Sequence, residues 1–157
     1  MSQWPLPELD TLTAPFWEAC RRQQLMVQRC PSSGRLLFPP RYRSPWAPQH
    51  EPEWVEVSGR GAIWSAAEPY PPLVEPFASI APYNIVIVTL EEDLEVRMAG
   101  NLVTDERGPI NGLPLQEITP GLPVKVVFQP LQLENETSDW WLPRWMVDAT
   151  RGQENQT

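Results

Sequence analysis

An acid-free stretch rich in arginine is the part of this sequence whose residue types point most directly to chemistry. Between residues 19 and 50 there is no aspartate or glutamate, although the whole chain has a formal net charge of −8 at pH 7. A guanidinium group can donate two parallel hydrogen bonds to a phosphate or a carboxylate. The stretch therefore predicts either an anion or partner site or an ordinary solvated surface. Its arginines are Arg21, Arg22, Arg29, Arg35, Arg41 and Arg43.

Groups that could carry out catalysis are sparse. Nucleophilic catalysis requires an activated serine, cysteine or lysine beside a base, and the chain has one histidine, His50, and one lysine, Lys125, neither within a recognisable motif. The glycines on either side of Arg60 precede a predicted strand rather than a helix, which excludes a Walker-type or dinucleotide-type phosphate loop. Cys20 and Cys30 do not indicate a disulfide framework, so we expect two free thiols in a reducing cytoplasm. We predict no catalytic residues.

Size and composition narrow the fold class. The 157 residues suffice for one ordinary domain or two small modules. Eight tryptophans and 41% hydrophobic residues are typical of a globular protein, and 20 prolines exclude long uninterrupted helices because proline lacks an N–H group. No apolar run approaches the roughly 18 residues of a membrane helix, and the first residues do not resemble a signal peptide. We expect a soluble cytoplasmic protein without membrane contact.

The first third of the chain predicts an arm, a helix and a hairpin. Residues 1–12 form a proline-rich arm for which Trp4 is the candidate anchor. Residues 13–52 begin with a helix from Pro15 to about Gln24. A β-hairpin follows, because two short apolar segments flank a turn that contains proline, serine and glycine.

The rest of the chain predicts a small barrel. Residues 53–148 have the period-two pattern of strands, and a nearly continuous β-branched run at 84–90 predicts a central strand. Five or six strands over this length favour a five-stranded Greek-key barrel, with a β-sandwich as the alternative. Residues 149–157 are polar and predict a flexible tail.

This order of parts resembles the thiolase-associated proteins of domain-of-unknown-function family thirty-five. The resemblance extends from about residue 13 to about residue 147 and implies a rubredoxin-like zinc ribbon followed by an OB-fold barrel. The matching stretches are Pro15 to Glu18, Leu25 to Cys30, Phe38 to Arg41, Trp54 to Gly61 and Pro82 to Val86.

The zinc ligands of that family are degenerate in this chain. Where the family has two Cys-x-x-Cys knuckles, this sequence has Cys30, Ser33, Ser44 and Ala47. Structural zinc requires four thiolate or imidazole donors in a tetrahedron, which this set does not supply even if His50 is added. We therefore predict a metal-free ribbon, held by the packing of Leu36, Phe38, Tyr42 and Trp46.

The resemblance implies a noncatalytic accessory subunit. Members of the family bind a thiolase-superfamily enzyme, a thiolase or a retro-aldol lyase of steroid side-chain breakdown, and support complexes that act on acyl-coenzyme A. We expect a hetero-oligomer in which this chain binds no cofactor alone and shares the coenzyme A thioester with its partner. The candidates for contact with coenzyme A phosphates or partner carboxylates are Arg29, Arg35, Arg41 and Arg43. The candidate partner-binding aromatic residues are Phe16, Trp17, Tyr42, Trp46, Tyr70 and Phe77.

Two alternatives stay open at this point. An OB-fold module could bind nucleic acid, but from residue 51 onward the chain has seventeen acidic residues and six basic ones, which is the wrong sign for a phosphate backbone. A stand-alone acyl-coenzyme A thioesterase would have to use Cys30 or His50.

Overall fold

The computed structural model describes residues 4–133 and 136–151, apart from the side chains of residues 132–138. It confirms a mainly β protein with a short N-terminal helix, and its strands form a three-stranded and a six-stranded sheet. Parts of the predicted arm and tail, residues 1–3 and 152–157, lie outside the described residues. The elements are α1 (Ala14–Arg21), β1 (Met26–Arg29), β2 (Leu36–Leu37), β3 (Glu53–Glu56), β4 (Arg60–Ala67), α2 (Phe77–Ile80), β5 (Ile85–Leu90), β6 (Arg97–Gly100), β7 (Leu102–Val103), a 3₁₀ helix (Leu115–Glu117), β8 (Pro123–Leu133) and β9 (Glu136–Val147).

Helix α1 is shorter than the pattern predicted. Before it, the Asp10 carboxylate accepts hydrogen bonds from the backbone and the hydroxyl of Thr13, at 2.6 Å and 2.8 Å. The helix ends early because Gln23 has a φ of 58°, a left-handed conformation that stops helical hydrogen bonding. Neither this helix nor α2 is long and apolar enough to cross a membrane.

The predicted hairpin is present and belongs to the three-stranded sheet. β1 lies in the centre, with β2 and β3 antiparallel on its two sides. The turn between β1 and β2 requires glycine at position 34, where φ is 72°. β3 begins the part of the sequence predicted to form the barrel, but its hydrogen bonds go to the ribbon strand β1. The backbone therefore connects the two parts without a separate linker.

The six-stranded sheet is ordered β6-β5-β4-β8-β9-β7, and its pairs are antiparallel except β7 with β9. Its two outermost strands, β6 and β7, are consecutive pieces of one segment interrupted at Asn101. The sheet therefore closes on itself as a five-segment barrel, as predicted. The β-branched strand β5 lies between β4 and β6, which confirms its central position.

Two asparagine side chains hold the segment at which the barrel closes. Asn84 is fully buried, and its Oδ1 accepts a hydrogen bond of 2.7 Å from the backbone N–H of Leu102. Its Nδ2 lies 2.9 Å, 3.1 Å and 3.3 Å from the carbonyl oxygens of Leu102, Ile110 and Leu113. Asn101 donates in return to the carbonyl oxygen of Asn84, at 2.6 Å. Asn84 thus binds the closing segment and the following loop to the start of β5.

The N-terminal arm docks through the residue predicted to anchor it. The ring of Trp4 lies edge-on to Phe77 at a centroid distance of 5.1 Å. Phe77 also contacts Tyr83, at 5.8 Å. The arm therefore packs on the proline-rich loop between β4 and β5.

We predict that Asn84→Ala destabilises the protein by about 3 kcal/mol or more, because it leaves a buried N–H group and several buried carbonyl groups without their partner. Urea unfolding followed by circular dichroism measures the change. Asn111→Ala is the matched control, since Asn111 is exposed and donates one hydrogen bond to the Ile80 carbonyl. Equal losses in the two variants would contradict the role of Asn84 in closing the barrel.

Candidate partner-binding site

The β1–β2 turn and the loop after β2 meet around the thiol of Cys30. Cys30 and Ser44 are fully buried, and Cys30 Sγ lies 3.3 Å from the hydroxyl of Ser32. The hydroxyls of Ser32, Ser33 and Ser44 hydrogen-bond the sulfur and lower the Cys30 pKa to about 6, although burial acts in the opposite direction. Ala47 packs against the same cysteine. The four positions that the resemblance assigns to zinc therefore lie together.

These residues do not fit a zinc ion. The positions offer one thiol, two hydroxyl groups and one methyl group, whereas structural zinc needs four thiolate, imidazole or carboxylate ligands. His50 joins the loop through its backbone, donating to the Ala47 carbonyl at 2.9 Å, and its side chain is exposed. Across residues 4–133 and 136–151, no three His, Cys, Asp or Glu side chains are grouped so as to hold a metal ion. The donor set thus disagrees with the zinc that the family pattern implies.

The contacts that hold the ribbon differ in part from those we expected. Leu37 and Ala47 form the small buried cluster with Cys30, whereas Tyr42 and Trp46 are 63% and 40% exposed. The expected packing of Tyr42 is therefore wrong, because its ring lies on the outside of the loop, whereas Trp46 contacts the hairpin through Arg35. Polar contacts replace the packing expected of Tyr42. The buried Gln28 accepts a 2.6 Å hydrogen bond from the backbone N–H at position 41.

Three of the four candidate arginines are paired with acids of the same chain. Arg29 donates to Glu53 through Nε and Nη2, at 2.9 Å and 2.7 Å. Arg35 forms an ion pair with Glu95, and Arg43 lies 3.8 Å from Glu51. All six side chains are substantially exposed, so each pair contributes at most about 1 kcal/mol and can exchange for another anion.

Arg41 differs from these three. In the part of the chain that the structure describes, no ion pair or hydrogen bond engages its guanidinium group, and the residue is exposed. It is therefore the candidate cation of the ribbon that is ready to bind an external anion.

The two aromatic candidates on α1 are packed within the protein. Phe16 is buried, with its ring 5.0 Å from Trp17 and 5.7 Å from Phe38. Trp17 also lies edge-on to Trp140 of β9, at 5.7 Å. These rings join the helix to the ribbon and the barrel.

The other four aromatic candidates lie on two surface loops. Tyr42 and Trp46 lie on the ribbon loop, where the Arg35 guanidinium stacks 4.1 Å above the Trp46 ring. Tyr70 lies on the β4–β5 loop and is 75% exposed, whereas Phe77 in the same loop is half-buried between its two aromatic neighbours. Tyr42, Trp46 and Tyr70 thus present rings to solvent, and we call Tyr42 and Trp46 with Arg41 the ribbon surface.

Sequence reasoning missed a cleft of about 1000 Å³ along β8 and β9. Apolar side chains such as Phe128 and Trp141 line it, together with Arg107 and Arg144. Burial lowers the pKa of Arg144 to about 10; its Nη1 donates to Asn101, and its buried Nε has no acceptor among the described residues. An amphipathic anion fits such a cleft chemically. The sequence carried no signal for it, because the lining residues are spread over the chain.

We predict that the cost of Cys30→Ala grows as the pH rises from about 6 to about 8.5. The folded protein lowers the pKa of this thiol from 9.0 to about 6, so its stabilisation is full above pH 9 and is lost as the pH falls through 6. Thermal unfolding across this range measures the effect. Cys20→Ala is the control, because burial raises the Cys20 pKa to about 12 and keeps that thiol neutral in the folded protein. A pH-independent cost for Cys30→Ala would contradict the assignment.

We also predict that purified protein contains far less than one zinc ion per chain, which elemental analysis measures. The triple variant Ser33→Cys, Ser44→Cys, Ala47→Cys should bind one zinc per chain, because it restores four thiolates at positions that lie together. Stoichiometric zinc in the wild-type protein would contradict the metal-free ribbon.

Comparison with protein families gives two matches. Residues 54–129 match the C-terminal OB-fold domain of ChsH2, and residues 17–43 match the rubredoxin-like zinc ribbon domain of ChsH2. A protein of Thermomonospora curvata described as a probable enoyl-CoA hydratase alpha subunit is 28% identical over 120 residues, which are 76% of this chain and 34% of that protein. The chain thus spans about a third of that relative's length.

Two solved structures share the fold. The first, described as the Ltp2-ChsH2(DUF35) aldolase, aligns with a TM-score of 0.66 and 26% identity over 90% of this chain and 98% of the other. The second is a DUF35 protein of unknown function from Sulfolobus solfataricus, with a TM-score of 0.52 and 15% identity over 86% and 84% of the two chains. At 15% identity, the similarity to the second structure shows a shared fold and nothing more. The chain belongs to the DUF35 family, with a zinc-ribbon domain and an OB-fold domain of the ChsH2 type.

Proposed function

We propose that this protein is a noncatalytic subunit that binds a thiolase-superfamily enzyme and supports both the stability of the complex and its binding of acyl-coenzyme A. The observation that carries the proposal is the alignment over 98% of the DUF35 chain of an aldolase described as Ltp2-ChsH2. The acyl-coenzyme A thioester is the substrate class that the relative described as an enoyl-CoA hydratase subunit also suggests. On the basis of the family resemblance, we propose that the acyl group is a steroid side chain.

The positions of the potential nucleophiles support a noncatalytic role. The Cys30 thiol is fully buried beneath serine hydroxyls, so a bulky thioester has no direct path to it. His50 is exposed, and in the described part of the chain no hydrogen bond joins its ring to this cysteine. Lys125 lies in β8 opposite Arg60 of β4. The nearby carboxylate of Asp148 is held by other groups, since it accepts a 2.6 Å hydrogen bond from the Thr150 hydroxyl and pairs with Arg60.

The ribbon surface supports partner binding. Tyr42 and Trp46 expose aromatic area on a loop whose backbone is held by buried contacts, so little backbone entropy is lost when they bind. Arg41 adds an unpaired guanidinium next to Tyr42 in sequence, which suits a carboxylate of the partner or a phosphate of coenzyme A. Arg29, Arg35 and Arg43 stay secondary candidates, since an incoming anion must compete with their present partners.

The cleft along β8 and β9 supports a role in acyl-coenzyme A binding. Its volume of about 1000 Å³ is at the upper end of ligand pockets, which suits a large thioester shared with a second subunit. Arg107 and Arg144 supply positive charge beside apolar walls. The cleft thus adds two cations to those predicted on the ribbon.

Co-expression with the thiolase-like subunit of the same organism tests the proposal. We expect a stable hetero-oligomer whose acyl-coenzyme A activity collapses when this chain is omitted. The double variant Arg41→Glu, Arg43→Glu should weaken the complex or its affinity for the thioester about tenfold, equivalent to about 1.4 kcal/mol, because it reverses charge on the ribbon surface. Lys125→Ala is the control and should change affinity less than about twofold.

Three outcomes would contradict the proposal. One is a thiolase-like subunit that is fully soluble and active alone. Another is hydrolysis of acyl-coenzyme A by the isolated chain, abolished by Cys30→Ser or His50→Ala, which would indicate a thioesterase. A salt-dependent gel shift with single-stranded DNA or RNA would favour a nucleic-acid-binding module instead.

A further inference from the structure

The outer surface of strands β4, β5 and β6 is apolar although it faces away from the barrel core. The core side of β5 carries Val86, Val88 and Leu90, which are fully buried. The alternate residues Ile85 and Ile87 lie on the opposite side and are partly exposed. We call this opposite side the outer face; its residues are Ala62, Trp64, Ser65, Ala67, Ile85, Ile87, Thr89, Arg97 and Ala99.

Solvated sheet surfaces have a different composition. An antiparallel strand with one face in water normally alternates apolar and polar residues, whereas a strand that is apolar on both sides is covered on both sides. β5 has the second pattern, and on its outer side the described chain covers Ile85, Ile87 and Thr89 only in part. The outer face therefore has the composition of a buried surface, and exposed apolar patches of this kind mark interaction sites.

A bulge places a tryptophan at the middle of the outer face. The register between β4 and β5 shifts between Ile63 and Ser65, so Trp64 is the extra residue and lies outside the regular pairing. Trp64 is 54% exposed. Arg97 from β6 stacks over the ring at 4.1 Å. Tryptophan and arginine are the residues that most often dominate binding energy in interfaces.

The charge of the outer face decides between two kinds of occupant. Arg97 is the charged residue at its centre, whereas Arg60, on the same side of β4 at the margin of the face, is paired with Asp148 at 3.6 Å. A two-fold dimer would bring this surface against itself, so that two copies of Arg97 would meet without an acid, and each copy carries a net charge of −8. A second copy of this chain is therefore a poor occupant.

We propose that the outer face is the surface on which the partner enzyme subunit docks, through an apolar patch of that subunit that contains a carboxylate facing Arg97. This inference rests on the proposed function and adds to it an interface that is separate from the ribbon surface. Trp64 enters the apolar patch, while Arg97 pairs with the carboxylate at its edge.

Affinity measurements with the co-expressed partner subunit test this inference. Trp64→Ala and Arg97→Glu should each weaken the complex about tenfold or more, as expected for residues at the centre of an interface. Leu9→Ala is the matched control on the arm, exposed and outside the outer face, and should change affinity less than about twofold. Circular dichroism and thermal unfolding of each variant check that the barrel stays folded.

The outcomes separate this inference from the function on which it rests. Wild-type affinity for both Trp64→Ala and Arg97→Glu would overturn the outer face as the docking surface and leave the subunit role standing. A wild-type chain that forms no complex at all would overturn both. Light scattering that shows a dimer of the isolated chain, dissociated by Trp64→Ala, would identify a second copy as the occupant and overturn the inference.

Discussion

The exchange of hydrogen bonds between Asn84 and the segment around Asn101 is the interaction on which the barrel depends. A six-stranded sheet with two free edges would be open to pairing with other chains. Here both edges belong to one segment, and the bend between them is held by the side chain of Asn101, which donates to the Asn84 carbonyl. The backbone carbonyl of Asn101 accepts a 2.9 Å hydrogen bond from the backbone N–H of Trp145, which brings β9 to the same point. The two amide side chains thereby convert a curved sheet into a closed barrel.

The ribbon shows how a metal-binding framework can be maintained without a complete ligand set. The hairpin and the following loop bring the four positions that the family pattern assigns to zinc together, but a buried thiol, two hydroxyl groups and the methyl group of Ala47 occupy them. Gln28 in the centre of β1 binds the backbone at Arg41, and β3 pairs with the other side of β1. The loop that carries Tyr42 and Trp46 is therefore anchored on both sides by ordinary protein contacts, and its aromatic rings can point outward.

Distribution of charge links the fold to its proposed role. Four of the six arginines in the acid-free stretch pair with carboxylates elsewhere in the chain, whereas Arg41 makes no such pair among the described residues. On the barrel, Arg97 stacks on the exposed ring of Trp64. Arg41 and Arg97 both lie on surfaces rich in aromatic or aliphatic side chains. These surfaces and the enclosed thiol support the proposed binding role.

Much of the fold was predictable because local patterns determine it. Period-two alternation marked the strands, the β-branched run marked β5, and the proline and glycine positions marked the hairpin turn. The end of α1 was not predictable, since the residue whose left-handed conformation ends the helix is Gln23, and glycine is the residue that usually marks such a position. The sequence by itself also determined that the zinc ligands are incomplete, because the missing donors are visible as residue types.

Tertiary structure alone decided which groups are free to act. Clustering of arginine in the sequence did not reveal that Glu53, Glu51 and Glu95 return from other segments to pair with three of them. Likewise, the sequence placed Trp64 on a strand, but the bulge that turns it outward beneath Arg97 depends on the register between β4 and β5. Charge pairing and surface exposure arise between residues far apart in the chain, so they follow from the folded arrangement and not from local pattern.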